Sequence, residues 1–352
     1  MKLQQKPVNI GPYIAREFSL ENSSGLSVSF LNYGGIITKF ITPDKTANMA
    51  NIVLCAEDYD DYRKNFPFSA SIIGRTSGYI YTGCLNINGQ SIYLSKNAGI
   101  HHKDGGFNNL SNTLFDYDID IKNEQITIAL SAKLKAENDG YPGNADISVF
   151  FSLDESNNFK IKYEAKVDED SLINLSHRTY FNLSGDDKSD ILSHLLFIPS
   201  DYTYAADEQL FLTGELKPVS GTPFDFNGLS EIGKKINSDC SEIKNANGYD
   251  HYFLLKKNGS YPTITLYEPL SMRSLNITTN QNVLHFDSQN ISLGKPAKET
   301  VSDEFAKFKP HHGACLQFQS PPIGLNECFL NASLVKKNQL YEKYTNYFFK
   351  LI

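Results

Sequence analysis

Phe159-Lys-Ile-Lys-Tyr-Glu-Ala-Lys-Val167 alternates strictly between apolar and polar side chains. A strand sends successive side chains to opposite faces. Phe159, Ile161, Tyr163, Ala165 and Val167 therefore share one face, and Lys160, Lys162, Glu164 and Lys166 share the other. The preceding Ile147-Ser-Val-Phe-Phe-Ser-Leu153 reads as a second strand. Between them, Asp154-Glu-Ser-Asn-Asn158 is turn chemistry, which predicts a hairpin. Leu85-Asn-Ile-Asn-Gly-Gln-Ser-Ile-Tyr-Leu94 predicts another, with Asn88-Gly89 suited to a type I′ turn. Asn258-Gly259 repeats the signal between residues 252–255 and 263–267. Helical periodicity is confined to short pieces near residues 57–64 and 229–236. Strands with turn signals recur along the whole length, so the reading is all-β, a large antiparallel β-sandwich.

The 352 residues carry 33 Lys and Arg against 40 Asp and Glu, a formal net charge of −7. That balance argues against nucleic acid or an anionic membrane as the main partner. Hydrophobic content of 40% with 21% charged residues is that of a globular protein rather than a disordered one. No apolar run approaches the roughly 18 residues of a membrane span, and the first residues lack the apolar stretch of a signal peptide. The five cysteines, Cys55, Cys84, Cys240, Cys315 and Cys328, are scattered and form no CxxC pair, which excludes a zinc or disulfide framework as a working reading. A cytoplasmic protein is expected. Length alone allows two domains or one large one, and no linker or composition step marks a boundary.

Several segments keep polar residues where a β-protein needs none. They are Gly74-Arg75-Thr-Ser-Gly78, His101-His102-Lys-Asp104-Gly105-Gly106, Asn174-Leu-Ser-His177-Arg178-Thr-Tyr180, Gly248-Tyr-Asp250-His251 and His312-Gly313-Ala-Cys-Leu-Gln317-Phe-Gln319. Each has a bland alternative. The paired histidines lack a spaced third ligand for a metal, Tyr180-Phe181 suits a core, and Asp250-His251 suits a turn cap.

Their order and wording together resemble the aldose 1-epimerase (galactose mutarotase) family. The matching pieces include Asn32-Tyr-Gly-Gly35, Gly74-Arg75, Gly105-Gly106, Gly140-Tyr-Pro-Gly-Asn144, Tyr180-Phe-Asn-Leu-Ser-Gly185, Gly221-Thr-Pro-Phe-Asp-Phe226 and Gly248-Tyr-Asp-His251, from about residue 10 onward. The resemblance implies one mutarotase-like supersandwich domain over residues 1–352, with a sugar cleft on one face. It implies a small-molecule sugar as ligand, and no cofactor or metal.

Such proteins interconvert the α and β anomers of a free aldose. A base takes the O1 proton while an acid protonates the ring oxygen. In the family these are a Glu in Leu-Glu-x-Gln and a His in Asn-His-x-Tyr-Phe-Asn-Leu, with a further His before Gly-Gly. By the resemblance, Arg75 and Asp250 match residues that bind sugar hydroxyls. The acid/base positions differ: Gln317 stands at the Glu, Arg178 at the His, and Asp104 at the His before Gly-Gly. Tyr79 replaces a second Arg, and Ile323 the Asp of a Pro-Asp-x-x-Asn motif. An amide has no proton-accepting pKa near neutrality, and a guanidinium does not release its proton there.

The candidate catalytic set is therefore Asp104, His177, Arg178 and Gln317, with Arg75 and Asp250 as substrate binders. His177 serves as acid only if a bulge turns it inward, since neighbours on a strand face opposite ways. Asp104 serves as a relocated base if Arg178 stabilises charge on the ring oxygen. Alternatively, Arg178 and Asp104 pair across the cleft. If Arg178 stays free beside Arg75, the cleft favours a sugar acid or sugar phosphate. The rival function is a non-catalytic sugar-binding or regulatory module using the same cleft. Monomer and homodimer are both compatible with the sequence.

Overall fold

The computed structural model describes residues 1–63, 70–136, 138–209, 211–257, 262–290 and 309–352. Its largest element is a nine-stranded antiparallel sheet. In spatial order the strands are Asp116–Lys122, Gln125–Leu134, Ala145–Asp154, Asn158–Val167, Tyr341–Leu351, Arg273–Thr279, Thr263–Glu268, Leu195–Phe197 and Ser230–Glu231. The alternating stretch lies at its centre. Phe159 pairs with Leu153 and Ile161 with Phe151, and the apolar set from Phe159 to Val167 is buried. In the turn, Asp154 Oδ1 accepts from the amides of Ser156 (2.8 Å) and Asn158 (3.0 Å), the Asx chemistry that favours such a reversal.

A six-stranded antiparallel sheet runs Tyr180–Phe181, Ala314–Gln319, Val283–Asp287, Asp250–Leu255, Ser200–Ala206 and Leu212–Pro218. Phe181, Leu316, Phe318, Leu284, Phe286 and Phe253 join the same hydrophobic core as Ile147, Phe151, Phe159 and Ile161 of the larger sheet. Each such side chain contributes about 1.5–3 kcal/mol on burial, so this layer holds the two sheets together. A five-stranded sheet, Lys2–Ile10 through Met49–Asn51 in chain order, adds Phe18, Phe30 and Phe40 to that core. Phe30 stacks on Phe151 with ring centroids 4.5 Å apart.

The second expected hairpin forms from Cys84–Ile87 and Gln90–Tyr93, and Asn88 (φ 52°) and Gly89 (φ 84°) both take the positive φ of a type I′ turn. The turn at Asn258-Gly259 lies outside the described residues. The helical signal near 57–64 is a 3₁₀ segment, Tyr59–Arg63, with residue 64 outside the described residues. The one near 229–236 is the two-residue strand Ser230–Glu231 followed by the 3₁₀ turn Ile232–Lys234. Two short α-helices, Ser241–Ala246 and Leu330–Ser333, are additions. Neither is long enough to display a helical period, and both depend on tertiary packing. Among the described residues no helix is long and apolar enough to cross a membrane.

One close approach brings two polar segments together. Gly105 has φ +91°, and a Cβ there would lie 1.9 Å from the carbonyl oxygen of Gly74. Gly105 therefore lets the loop carrying Asp104 rest on the loop that begins at Gly74. Gly105→Ala should cost several kcal/mol, because a backbone atom has to move. Gly99→Ala, at φ +63° with open space around it, should cost only about 1 kcal/mol. Chemical denaturation of the two variants measures the difference, and equal losses would remove the close-packing argument.

Candidate functional site

The polar segments meet because of strand parity. Along Ala314–Gln319, Leu316 and Phe318 enter the core, so Cys315, Gln317 and Gln319 face the other way. In Val283–Asp287 the same parity turns His285 and Asp287 away from the core, and in Asp250–Leu255 it turns Asp250 and Tyr252. Cross-strand register then places Asp250 opposite Asp287, Tyr252 opposite His285, His285 opposite Gln317, and Asp287 opposite Cys315. Tyr180, opposite Cys315, completes the row.

Arg178 precedes that edge strand and ties two loops to the sheet. Its Nη2 donates to Asp104 Oδ2 at 3.0 Å, and its Nε donates to Gln317 Oε1 at 3.2 Å. Asp104 Oδ1 accepts the amide of Gly78 at 2.8 Å. Burial works against the Asp104 carboxylate, but Arg178 and Lys103 together with the Gly78 amide hold its pKa below the usual range. Arg178 in turn is held above its ordinary value by Asp104, despite its own burial. The side chains keep 20% and 14% exposure, so the pair is largely buried but touches solvent.

Gln317 is fixed by a directional chain. Ser77 Oγ donates to the Asn174 carbonyl at 2.8 Å, which commits its only proton. Ser176 Oγ, 2.7 Å from Ser77 Oγ, must then be the donor of that pair. Ser176 is left to accept, and Gln317 Nε2 supplies the proton at 2.7 Å. The amide nitrogen also donates to Gln319 Oε1 at 2.8 Å. The amide oxygen is thereby turned toward Arg178.

Two further carboxylates lie beside this group. Asp250 Oδ1 is 2.5 Å from His285 Nε2. Burial alone would raise Asp250, yet the hydrogen bond from His285 brings it down to about 2. Asp287 moves the other way, raised by burial and by the neighbouring Asp250, while the Tyr180 hydroxyl donates to its Oδ2 at 2.6 Å. Two carboxylates whose surroundings separate their proton affinities are a feature of acid/base sites. Tyr79, at the position of the second family Arg, also belongs here. Its hydroxyl is pushed up to about 12, first by burial and then by Asp104, and Lys103 Nζ lies 5.0 Å from its ring centroid.

Of the residues singled out from sequence, Asp104, Arg178, Gln317 and Asp250 come together. Arg75 does not join them. It is 2% exposed, and its guanidinium donates to the carbonyls of Pro142 (3.2 Å), Leu134 (3.1 Å) and Lys135 (3.3 Å) and to Ser171 Oγ (3.4 Å). Its ring neighbour is Tyr141, whose hydroxyl lies 2.7 Å from His102 Nε2. The Gly-Arg motif thus staples loop carbonyls together in this chain. His177 also turns away. It pairs with Ile72 in register, with no bulge, its Nε2 donates to the Gly35 carbonyl at 3.0 Å, and its ring packs on Phe151. Burial lowers its pKa to about 4, which keeps it neutral. His251 likewise sits on the core side, against Phe224. Ile323 is buried among Ile80, Leu85 and Leu172, an apolar setting with no use for the family Asp.

Sequence reading missed His285, Asp287 and Tyr252. The signal was present as period two: His285-Phe286-Asp287 and Asp250-His251-Tyr252 each alternate a polar side chain with one that enters the interior.

Comparison with known proteins gives one consistent answer. The family model described as aldose 1-epimerase matches residues 16–347. A galactose mutarotase of Sus scrofa is 27% identical over 342 residues, covering 97% of this chain and 96% of that one. An aldose 1-epimerase of Streptococcus thermophilus is 31% identical over 240 residues, 68% of this chain and 66% of that one. The crystal structure of a galactose 1-epimerase from Lactobacillus acidophilus superposes with a TM-score of 0.86 at 26% identity and covers 99% of both chains.

Two predictions follow from the geometry. Arg75→Leu removes the donor to the buried Leu134 carbonyl and the partly buried Pro142 carbonyl and should destabilise by about 1–3 kcal/mol, and Lys at 75 should not restore it because one ammonium cannot span the same fork. Urea unfolding reads both. Asp250 titrates at about 2 when folded against 3.8 in the unfolded reference. Its ionised form stabilises the fold above that reference value, and the contribution is lost as pH falls toward 2. Comparing wild type with Asp250→Asn at pH 6 and pH 3 should show a gap that narrows in acid.

Proposed function

Since the chain belongs to the aldose 1-epimerase family, we propose that it binds a free aldose over the polar face of the six-stranded sheet and interconverts its anomers with a rebuilt set of proton-transfer groups. The observation that carries this reading is the convergence of Asp104, Arg178, Asp250 and Gln317 on one sheet face, linked through Arg178 and His285. Two strands supply Asp250 and Gln317, and two loops supply Asp104 and Arg178. A binding face of this kind, with donors and acceptors on a rigid strand platform, suits the hydroxyls of a sugar ring.

Anomer exchange needs a proton removed from O1 and one delivered to O5, and the ring opens between those events. Gln317 cannot perform the first and Arg178 cannot perform the second. Arg178 is well suited to another task. Its cation, kept charged by Asp104, can donate to the ring oxygen as negative charge develops there. Asp104 is already engaged by Arg178 and Gly78, so its low proton affinity makes it a weak base. The ion pair supports a neutral ring as substrate, because Arg178 is spoken for and Arg75 is committed to loop carbonyls. The nine- and six-stranded sheets share one core, which supports reading the chain as one domain.

The second reading is a binding module without catalysis, and Gln317 is the observation that favours it. Polarimetry separates the two. A panel of neutral aldoses should raise the melting temperature more than sugar acids or sugar phosphates do, and at least one should mutarotate faster than its spontaneous rate. Binding without acceleration would favour the module, and no stabilisation by any aldose would overturn the carbohydrate reading.

A further inference from the structure

We propose that His285, held by Asp250, is the proton-transfer group of this site. The assignment rests on the reading above, that an aldose occupies the polar face. His285 lies on Val283–Asp287, opposite Gln317 on one neighbouring strand and Tyr252 on the other. Directly paired residues carry their Cβ atoms about 5 Å apart. The imidazole therefore stands next to the amide that occupies the family's Glu position.

Two contacts fix the ring. It lies flat on Tyr252, with centroids 4.2 Å apart and planes 12° from parallel. Its Nε2 meets Asp250 Oδ1 at 2.5 Å. An ionised carboxylate only accepts, so Nε2 carries the hydrogen, and in the neutral ring Nδ1 is the nitrogen with the lone pair. Nδ1 has no hydrogen-bond partner among the described residues, and the side chain keeps 10% exposure. An imidazole whose tautomer is set by a carboxylate behind it, with the opposite nitrogen open, is arranged as a general base.

The titratable surroundings come from each packed element. Asp250, His251 and Tyr252 stand on one neighbouring strand, and Asp287 lies on the strand of His285 itself. Cys315 lies beyond Gln317, with Tyr180 next to it, and Lys103, Asp104, Arg178 and Tyr79 approach from the loops.

The step balances within the protein and its substrate. His285 Nδ1 takes the O1 proton, the O1–H electron pair becomes the second bond of the C1 carbonyl, and the C1–O5 bond breaks with its electrons on O5. O1 and O5 are bonded to the same carbon, so the imidazolium returns its proton to O5 while Arg178 donates to the same oxygen. Closure after rotation about C1–C2 reverses each event and yields the other anomer.

The test is mutarotation of an aldose that stabilises the wild-type chain, followed by polarimetry over pH. His285→Gln should lower the catalysed rate by about 10²–10⁴-fold while the aldose still raises the melting temperature. It should also abolish the ionisation seen in the wild-type pH–rate profile. His285→Ala should regain rate on addition of free imidazole. An active wild type with an unchanged rate and pH profile in His285→Gln would overturn the assignment and leave the epimerase reading standing. A wild type that binds aldoses without accelerating them would overturn both, leaving the binding module.

Discussion

A carboxylate and a guanidinium are costly to take out of water singly and tolerable together. Asp104 and Arg178 meet that condition at 3.0 Å, and much of the site is arranged around their contact. The Asp104 loop has to rest against the Gly74 carbonyl for its carboxylate to reach, which is what Gly105 allows. Arg178 then directs its Nε hydrogen to Gln317. A single ion pair therefore sets the relative position of two loops and a central strand. In this setting its value lies in registry more than in net stability.

The pair also explains why the substituted positions belong together. A cation at Arg178 beside a family-type Glu at 317 would leave two carboxylates competing for one guanidinium. With an amide there, Arg178 serves Asp104 by charge and Gln317 by a neutral hydrogen bond. The remaining carboxylates, Asp250 and Asp287, are tied instead to His285 and Tyr180. The polar face thus divides into a neutralised half around Arg178 and a half in which a histidine is the group with a free nitrogen.

Much of this was legible in the chain because strands advertise themselves. The alternation from Phe159 to Val167 gave the sheet centre, and Asn88-Gly89 gave a turn whose two positive φ angles the structure contains. The motif strings gave Asp104, Arg178, Asp250 and Gln317. The role expected for Arg75 was not readable, because a guanidinium that binds sugar and one that binds carbonyls look alike in sequence. His177 turned on parity alone: it sits one residue from Arg178 and so belongs to the opposite face. His285 escaped because it lies in no motif, and only register across three strands brings it beside Gln317.

The run of hydrogen bonds from Asn174 through Ser77 and Ser176 to Gln317 has a consequence for substitution. Its origin is a main-chain carbonyl, which can never donate, so the sense of every later bond is dictated from that end. A carboxylate at 317 could accept from Ser176 only if that hydroxyl turned away from Ser77. One nucleotide separates the codons for glutamine and glutamate, yet that exchange requires the Ser176 hydroxyl to leave Ser77 and the Gln319 amide to turn over. What a single base change can do at 317 is thus conditioned by a peptide group that no codon alters.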